Sequence, residues 1–500
     1  MSPATVAARM HFHDFDRSSG KEVMRIPRYK LLYEALRNQI LEGLLAPNTR
    51  LPSSRQLAKQ LNLSRNTTIA ALNQLCAEGY AEARPASGIF VLSTLTTRWQ
   101  KSLINRPLPT ATFRLSTRGK KIYEDIPKKV LQGAFTPGIP DLSLFPFGLW
   151  QRYLVRCIRN PQLKWQSYSQ QGGLKELRQT VAAYLRVFRG IECSANQILI
   201  THGTQNSLNL ISSLLTDQND RVWIENPGYP GARSAFIAAD LQIIGQPLDQ
   251  EGIAPARSAW KNPPRLIYVT PSHQYPFGMM MSAARRQQLL IQAADLPTWF
   301  IEDDYDSEFR FEGNPVAAMQ ALAPSRVIYL GTFSKTLFPS IRIGYMVLPE
   351  NYLDAFRFTQ ARHQREPSYI LQSALNNFIQ DGHYSTHVRK MRQIYQQRKD
   401  QLVAIFRENL GNQVQLHGTD TGLHLTITFP LYINSLQIEA QALEQGIGAR
   451  SLKHYYLPNS SIPLVEGLVL GFGNTDSKTI LRSANILLKL LKKALNSKII

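Results

Sequence analysis

The sequence predicts an α/β chain in two domains, a small helical N-terminal domain and a large domain with a mostly parallel sheet flanked by helices. The chain has 500 residues, of which 43% are hydrophobic, so it can bury more than one core. In its larger part, strand-like runs such as RVWIE and RVIYLGTF alternate with amphipathic helical stretches, which is typical of a parallel sheet. A basic stretch rich in proline and threonine, without sustained periodicity, separates the two parts, as linkers do.

These patterns set the expected domain boundaries. We expect an N-terminal extension over residues 1–25, a small helical domain over 26–91, a linker over 92–130 and the large domain over 131–500. Within the large domain, a smaller α+β subdomain is expected from about residue 360 to 500. The extension carries no pattern that we can interpret.

Composition narrows the class of protein. No apolar stretch has the length needed to cross a bilayer, and the N-terminus lacks a secretory signal, so we expect a cytoplasmic protein. Cys76, Cys157 and Cys193 are scattered, which indicates neither disulfides nor a zinc site, and we predict no metal. The formal charge of +21 favours contact with nucleic acid, although a merely basic protein would show the same excess.

The most specific pattern in the first hundred residues is a helix-turn-helix. Ser53 and Gln56 form a capping box that begins a short helix, Asn62 lies in the turn, and Ser64 caps a second helix. The outer N-terminal face of this second helix offers Arg65, Asn66 and Thr67. A second helix with polar groups at its start suits the major groove of DNA. The alternative is a three-helix bundle whose arginines are only solvated.

This passage resembles the GntR winged helix, with YAEARPASGIFV as the hairpin wing and Gly88 at its tip. The resemblance implies that Arg55, Arg65 and the wing lie along double-stranded promoter DNA. By geometry, Arg65 and Asn66 would read base edges, whereas Arg55, Ser64 and Thr67 would hold phosphates.

A second pattern, TFSKTLFPSIRIGY, places a lysine in a loop after a strand. Lys335 there would form a Schiff base with an aldehyde cofactor, and Thr332, Ser334 and Arg342 would bind its phosphate. An ordinary surface lysine is the alternative, but the apolar residues on both sides of Lys335 argue against it.

The lysine loop resembles that of class I aminotransferases with the aspartate aminotransferase fold, and the resemblance spans most of residues 135–472. It implies a fold-type-I domain that binds pyridoxal 5'-phosphate. THGTQNSL lies between a strand and a helix, so the amides of Gly203, Thr204 and Gln205 could meet the phosphate at the positive helix terminus. A tight turn without a ligand is the alternative.

Two further segments follow the same resemblance. Tyr229, in ENPGYPG, would stack on the pyridine ring, although local packing would also explain it. In IEDDYDSEF, Asp303 would pair with the pyridine nitrogen and make the ring an electron sink, with Asp304 as the competing assignment. Tyr305 would reach the ring hydroxyl. His202 and His273 lie near the expected pocket and are more often scaffold than acid-base groups.

The sequence also departs from the aminotransferase pattern. Tyr275 and Phe277 replace an asparagine and a threonine, and Val469 stands where aminotransferases usually carry the arginine that binds the substrate carboxylate. These departures argue against efficient transamination of an ordinary α-amino acid and leave cofactor binding untouched. Arg450 and Arg233 are alternative cations for an effector, although each could be a surface residue.

A GntR winged helix, a long linker and an aminotransferase-like domain together resemble the MocR regulators. The resemblance implies a homodimer, arranged head to tail with swapped domains, that responds to pyridoxal phosphate or to an amino compound forming an imine with it. Two alternatives are a working aminotransferase with a DNA-binding head and an inert dimerisation scaffold without cofactor.

Overall fold

The computed structural model describes residues 27–92, 115–125, 130–160, 169, 171–312 and 316–496. The chain divides into two compact units, residues 1–114 and 115–500. The expected extension over residues 1–25 lies outside the described residues, as do positions 93–114 and 126–129 of the expected linker.

The N-terminal unit consists of three helices and a two-stranded antiparallel ribbon. Its elements are α1 (Arg28–Leu41), α2 (Ser54–Leu61), α3 (Arg65–Ala77), β1 (Ala81–Arg84) and β2 (Gly88–Val91). Ser53 and Gln56 form the predicted capping box at the start of α2. Asn62 ends that helix in the left-handed conformation, at φ 51°, and Ser64 caps α3. The predicted helix-turn-helix with its hairpin wing is therefore present.

A single apolar core holds this unit together. Leu32, Leu36, Leu57, Leu72 and Leu75 come from all three helices and are fully buried or nearly so. Burying a leucine side chain contributes about 1.5–3 kcal/mol, so these residues dominate the stability of a domain of this size. The wing closes the same core, because Ala81 and Val91 pair across the ribbon and are both buried.

The expected linker contains a helix that belongs to the large unit. Residues Thr117–Asp125 form α4, which packs against the helix α8 (Pro230–Ala238). The prediction of an aperiodic linker that runs to residue 130 was therefore wrong for this segment. Helix α4 has no buried residue, so it lacks the apolar stripe by which a helix is recognised in a sequence.

A seven-stranded sheet forms the centre of the large unit, in the order β3-β11-β10-β9-β8-β4-β5. Its strands are β3 (Ile198–Thr201), β4 (Arg221–Glu225), β5 (Gln242–Gln246), β8 (Leu266–Val269), β9 (Trp299–Asp304), β10 (Val327–Thr332) and β11 (Gly344–Val347). β11 runs in the direction opposite to that of the other six strands, which are parallel to one another, so the predicted mostly parallel sheet is confirmed. A short ribbon, β6 (Leu248–Asp249) and β7 (Gly252–Ile253), lies outside it.

Helices flank this sheet. They include α5 (Phe147–Arg159), α6 (Lys175–Arg189), α7 (Thr204–Leu215), α9 (Ala283–Gln292), α10 (Met319–Leu322), α11 (Leu353–His363) and α12 (Tyr369–Gln380). Apart from the edge strand β5, the strands are almost entirely buried because helices exclude water from them, as an α/β sheet requires.

A smaller α+β layer completes the chain, as the sequence predicts. The long helix α13 (His383–Leu410) leads into a four-stranded antiparallel sheet in the order β12-β13-β15-β14. Its members are β12 (Gln415–His417), β13 (His424–Phe429), β14 (Arg450–Ser451) and β15 (Glu466–Gly471), accompanied by α14 (Ser435–Glu444) and α15 (Ser477–Asn496).

In the described part of the chain, no helix combines the length and the apolar character that crossing a bilayer requires.

Candidate functional site

The exposed start of α3 is the first candidate site. Ser64 Oγ accepts a hydrogen bond from the Thr67 amide at 3.1 Å, which fixes the first turn. Arg65 and Asn66 project from this turn and are exposed, as is Arg55 on α2. Among the described residues, no side chain or carbonyl pairs with the guanidinium of Arg55 or Arg65, so both are free to meet an anion.

Gly88 serves the conformation of the wing. Its φ is +111°, and a Cβ there would stand 2.9 Å from Arg50 Nε, so only glycine fits without displacing that arginine. Arg84 lies over the Phe90 ring at 4.5 Å and donates to Asn48 Oδ1 at 2.9 Å. The sequence placed Arg84 in the wing but did not reveal these contacts or the position of Arg50, because Asn48 and Arg50 precede the strands of the wing by more than thirty residues.

The second candidate site is a cavity of about 310 Å³ at the edge where the parallel strands end, lined by residues of several segments. All ten residues predicted for the cofactor line it: Gly203, Thr204, Gln205, Tyr229, Asp303, Tyr305, Thr332, Ser334, Lys335 and Arg342. We call it the lysine cavity. Its volume lies at the lower end of the range of roughly 300–1,000 Å³ found for small-molecule sites.

Lys335 reaches into the cavity from the loop after β10. Its Nζ donates to the Gly138 carbonyl at 2.6 Å, and burial lowers the pKa of its ammonium group. A lower pKa raises the share of neutral amine, which is the nucleophilic form. A Cβ on Gly138 would stand 2.9 Å from the same Nζ. The glycine therefore makes room for the lysine.

Two groups in the cavity suit an anion. Helix α7 begins after Gly203, which adopts φ +96°, and no side chain caps it. Its first amides therefore remain available at the positive end of the helix dipole. Arg342, near the end of the connection between β10 and β11, has a left-handed conformation, at φ 49°. A non-glycine residue in that conformation is strained, which is common at functional sites.

Of the two competing aspartates, only Asp303 lines the cavity. Tyr268 donates to its Oδ2 at 2.6 Å, its Oδ1 is buried without a partner, and burial raises its pKa to about 7. Asp304 forms a buried ion pair with Arg189 at 2.7 Å and accepts from the Tyr329 hydroxyl. Consecutive residues of a strand face opposite sides of the sheet, which explains the different surroundings.

Aromatic side chains enclose the cavity. Tyr229 directly precedes α8, and burial raises its pKa to about 12. Tyr305 donates to the His273 carbonyl at 3.0 Å, and His273 Nδ1 lies 3.0 Å from Asp306. Neither His273 nor His202 lines the cavity, which agrees with the scaffold interpretation.

His424, on β13, lines the cavity and was not predicted. Its Nε2 lies 3.0 Å from the Pro276 carbonyl, which can only accept, so Nε2 carries the proton. Burial holds its pKa well below the usual value. His273, Asp306 and His424 lie close enough for metal ligation, with ligand atoms within 4.8 Å of one another. His273 Nδ1 faces Asp306 and His424 Nε2 faces the Pro276 carbonyl, whereas His273 Nε2 is buried without a hydrogen-bond partner among the described residues.

The two proposed effector cations lie outside the cavity lining. Arg233 is committed elsewhere: its Nε pairs with Asp125 at 2.7 Å, and its Nη1 donates to the Tyr456 carbonyl at 2.9 Å. Arg450 pairs across the sheet with Val469 and therefore shares its face. The effector role of Arg450 stays a prediction.

Two family models match the chain. One is the gntR family of bacterial regulatory proteins, over residues 28–91, and the other is aminotransferase class I and II, over residues 157–460. The structure is similar to a kynurenine aminotransferase of Pyrococcus horikoshii, with a TM-score of 0.66 and 25% identity over 79% of this chain and 99% of that one.

Relatives match along nearly the whole chain. The probable rhizopine catabolism regulatory protein MocR of Rhizobium meliloti is 37% identical over 92% of this chain and 93% of its own length. The pyridoxine biosynthesis transcriptional regulator PdxR of Corynebacterium glutamicum is 29% identical over 90% and 92%. The chain therefore belongs to the MocR family of transcription regulators, which join a GntR DNA-binding domain to an aminotransferase-like domain.

Proposed function

We propose that this regulator holds pyridoxal phosphate in the lysine cavity and alters its DNA binding when the cofactor, or an amino compound reacting with it, is present. The observation that carries the proposal is that Lys335 and the nine other residues predicted for the cofactor, from four separate segments, line one cavity. The relatives support it, since the C. glutamicum protein is named for pyridoxine biosynthesis and the P. horikoshii enzyme is described in complex with PMP.

The residues present fit the cofactor. The buried Oδ1 of Asp303 has no partner, and a protonated ring nitrogen would supply one. Arg342 and the uncapped start of α7 offer donors for a phosphate, while Lys335 offers the amine for the aldehyde. When bound, pyridoxal phosphate supplies an aldehyde for amines and a ring that accepts electrons.

The side chains that line the cavity determine how it would act on bound pyridoxal phosphate. Burial lowers the pKa of the Lys335 ammonium group, which raises the share of neutral amine, and Asp303 keeps an acceptor at the end of β9. Tyr229 and Tyr275 lie edge to face, with ring centres 6.0 Å apart, and exclude water from one side. Since a buried Val469 replaces the usual arginine, we propose a sensor and not an efficient enzyme.

A working aminotransferase is the second candidate function, favoured by the complete lysine cavity. Steady-state turnover with amino donors and keto acids distinguishes the two. Sustained turnover would support the enzyme, whereas binding without turnover would support the sensor.

We also propose that the protein is a homodimer arranged head to tail. Light scattering measures the molar mass that tests this.

Arg65→Ala is expected to weaken binding to a duplex that the wild-type protein selects from a random library. Losing one base contact costs about 1–3 kcal/mol, or roughly 5- to 150-fold in Kd. Fluorescence anisotropy at fixed salt measures the change. The matched control is Lys261→Ala, an exposed cation of the large unit. Equal effects of the two variants would show only a general charge effect.

The large unit offers a physical route from the cavity to the linker. Asp125, the last residue of α4, forms a largely buried ion pair with Arg233 on α8 and accepts from the Ser234 hydroxyl. Helix α8 begins directly after Tyr229, which lines the lysine cavity. We propose that a change at Tyr229 shifts α8, and that the ion pair between Arg233 and Asp125 passes this shift on to α4.

Asp125→Asn is therefore expected to uncouple DNA binding from the cofactor. Removing one partner of a buried ion pair costs about 3–5 kcal/mol, which would release α4. The effect of pyridoxal phosphate on DNA affinity should shrink towards none, while cofactor affinity stays unchanged. Glu124→Gln is the control, since Glu124 is exposed and its ion pair with Lys120 is long, at 3.7 Å. A full cofactor response in the Asp125 variant would exclude this route.

A further inference from the structure

The large unit contains a second cavity, which shares no lining residue with the lysine cavity. Its volume is about 470 Å³, compared with 310 Å³ around Lys335. Its walls come from the C-terminal half of α6, the loop after β9 and the first turns of α13. Any ligand there would be additional to the cofactor.

Its lining carries a marked excess of positive charge. The arginines that line it are Arg189, Arg286, Arg310, Arg389 and Arg392, against a single acid, Glu308. The two innermost arginines have their own carboxylates, because Arg189 pairs with Asp304 at 2.7 Å and Arg286 with Glu302 at 3.7 Å. Arg310 donates to the Glu312 carbonyl at 2.7 Å, and the two remaining arginines both belong to α13.

Arg389 and Arg392 provide this charge from one face of α13, three residues apart. Arg392 Nε donates to the Glu308 backbone carbonyl at 2.9 Å, which fixes the direction of its side chain. Within the described ranges, neither arginine forms an ion pair. The Glu308 carboxyl accepts from Tyr184 at 2.8 Å, and burial raises its pKa to about 7, so it opposes the arginines only in part at neutral pH.

A second observation points to a ligand. Thr421 is 5% exposed, lines the cavity, and its hydroxyl has no hydrogen-bond partner. Buried polar atoms are normally paired, so this hydroxyl lacks a donor or an acceptor that a ligand would supply. The part of the lining that α6 contributes is apolar, since Tyr184 and Phe188 stack at 4.7 Å, and α13 adds the buried Val388.

We propose that this cavity binds a small organic anion whose acid group is a carboxylate or a phosphate ester and whose body is apolar. Arg389 and Arg392 pair with the acid group, since guanidinium groups match the geometry of both anions. Thr421 Oγ donates to the same group, and the apolar body lies against Tyr184 and Phe188. The site does not depend on the chemistry at Lys335.

Titration calorimetry of the cofactor-loaded protein tests the proposal, with benzoate and phenyl phosphate as the probes. We expect saturable binding of at least one probe, with one site per chain. Arg389→Ala/Arg392→Ala should lower the affinity by at least about tenfold, because hydrogen bonds to charged groups are lost. Arg407→Ala, on an exposed turn of the same helix, should leave the affinity unchanged.

Thr421→Val provides an independent variant that keeps the volume of the side chain and removes its hydroxyl. It should lower probe affinity severalfold while the protein retains the cofactor. Absence of binding by both probes, or binding that the arginine variant leaves intact, would overturn the proposal. The same titration on Arg342→Ala protein should give unchanged probe affinity, because the two cavities share no lining residue. A failure of the second cavity is thereby distinguished from a failure of the lysine cavity to bind phosphate.

Discussion

Lys335→Ala is expected to abolish the retention of pyridoxal phosphate. Lys335 lines the cavity, and burial lowers the pKa of its ammonium group, which raises the share of the neutral amine that can bond the aldehyde covalently. Without it, only the phosphate and ring contacts remain. We expect a loss of affinity on the order of a hundredfold or more, equivalent to about 3 kcal/mol. Visible absorbance after dialysis, with and without borohydride, measures it.

Lys261→Ala is the control, since this lysine is exposed and far from the cavity lining. Peptide mapping of the borohydride-reduced wild-type protein should find the added mass on Lys335. Retained absorbance in the Lys335 variant would assign the aldehyde to another lysine. A colourless wild-type protein that takes up no cofactor would favour the inert scaffold.

The parts of the site that the sequence predicts are those encoded in short contiguous segments. Thr332, Ser334, Lys335 and Arg342 lie within eleven residues, so one loop fixes their neighbourhood whatever the rest of the chain does. The strands before them are equally clear, because buried parallel strands are continuous apolar runs. Local patterns therefore sufficed for the lysine loop and for the helix-turn-helix.

Local sequence patterns could not predict contacts between segments that lie far apart along the chain. His424 reaches the cavity only because β13 of the small sheet approaches the Pro276 loop, 148 residues away. Arg233 was considered for an effector, yet its partner Asp125 lies 108 positions earlier, in a helix with no buried residue. Periodicity detects burial of an apolar face, and α4 is held by polar contacts instead. The docking of α4 was therefore not predictable from the periodicity of its sequence.

Asp303→Asn is expected to affect stability and cofactor binding in opposite directions. Burial raises the pKa of Asp303 to about 7 from an ordinary value of 3.8. A carboxyl whose pKa is raised by folding costs stability once the pH exceeds its unfolded value, and the cost is complete above about pH 7. The amide has no such cost and still accepts from Tyr268. Without cofactor, the variant should be more stable at pH 8, by up to about 4 kcal/mol, and little changed at pH 4.

With cofactor, the order should reverse, since the amide cannot neutralise a protonated ring nitrogen. Urea unfolding at pH 4 and pH 8, with and without pyridoxal phosphate, gives the four free energies of unfolding required. Asp304→Asn is the matched control: it leaves the buried Arg189 without its carboxylate and should destabilise the protein with or without cofactor. If Asp303→Asn bound the cofactor as tightly as the wild type, or stabilised the free protein equally at both pH values, Asp303 would not be the cavity's acid. The acid that destabilises the cofactor-free protein would then differ from the acid that pairs with the ring nitrogen. The stability of the free protein would in that case not identify the cofactor site.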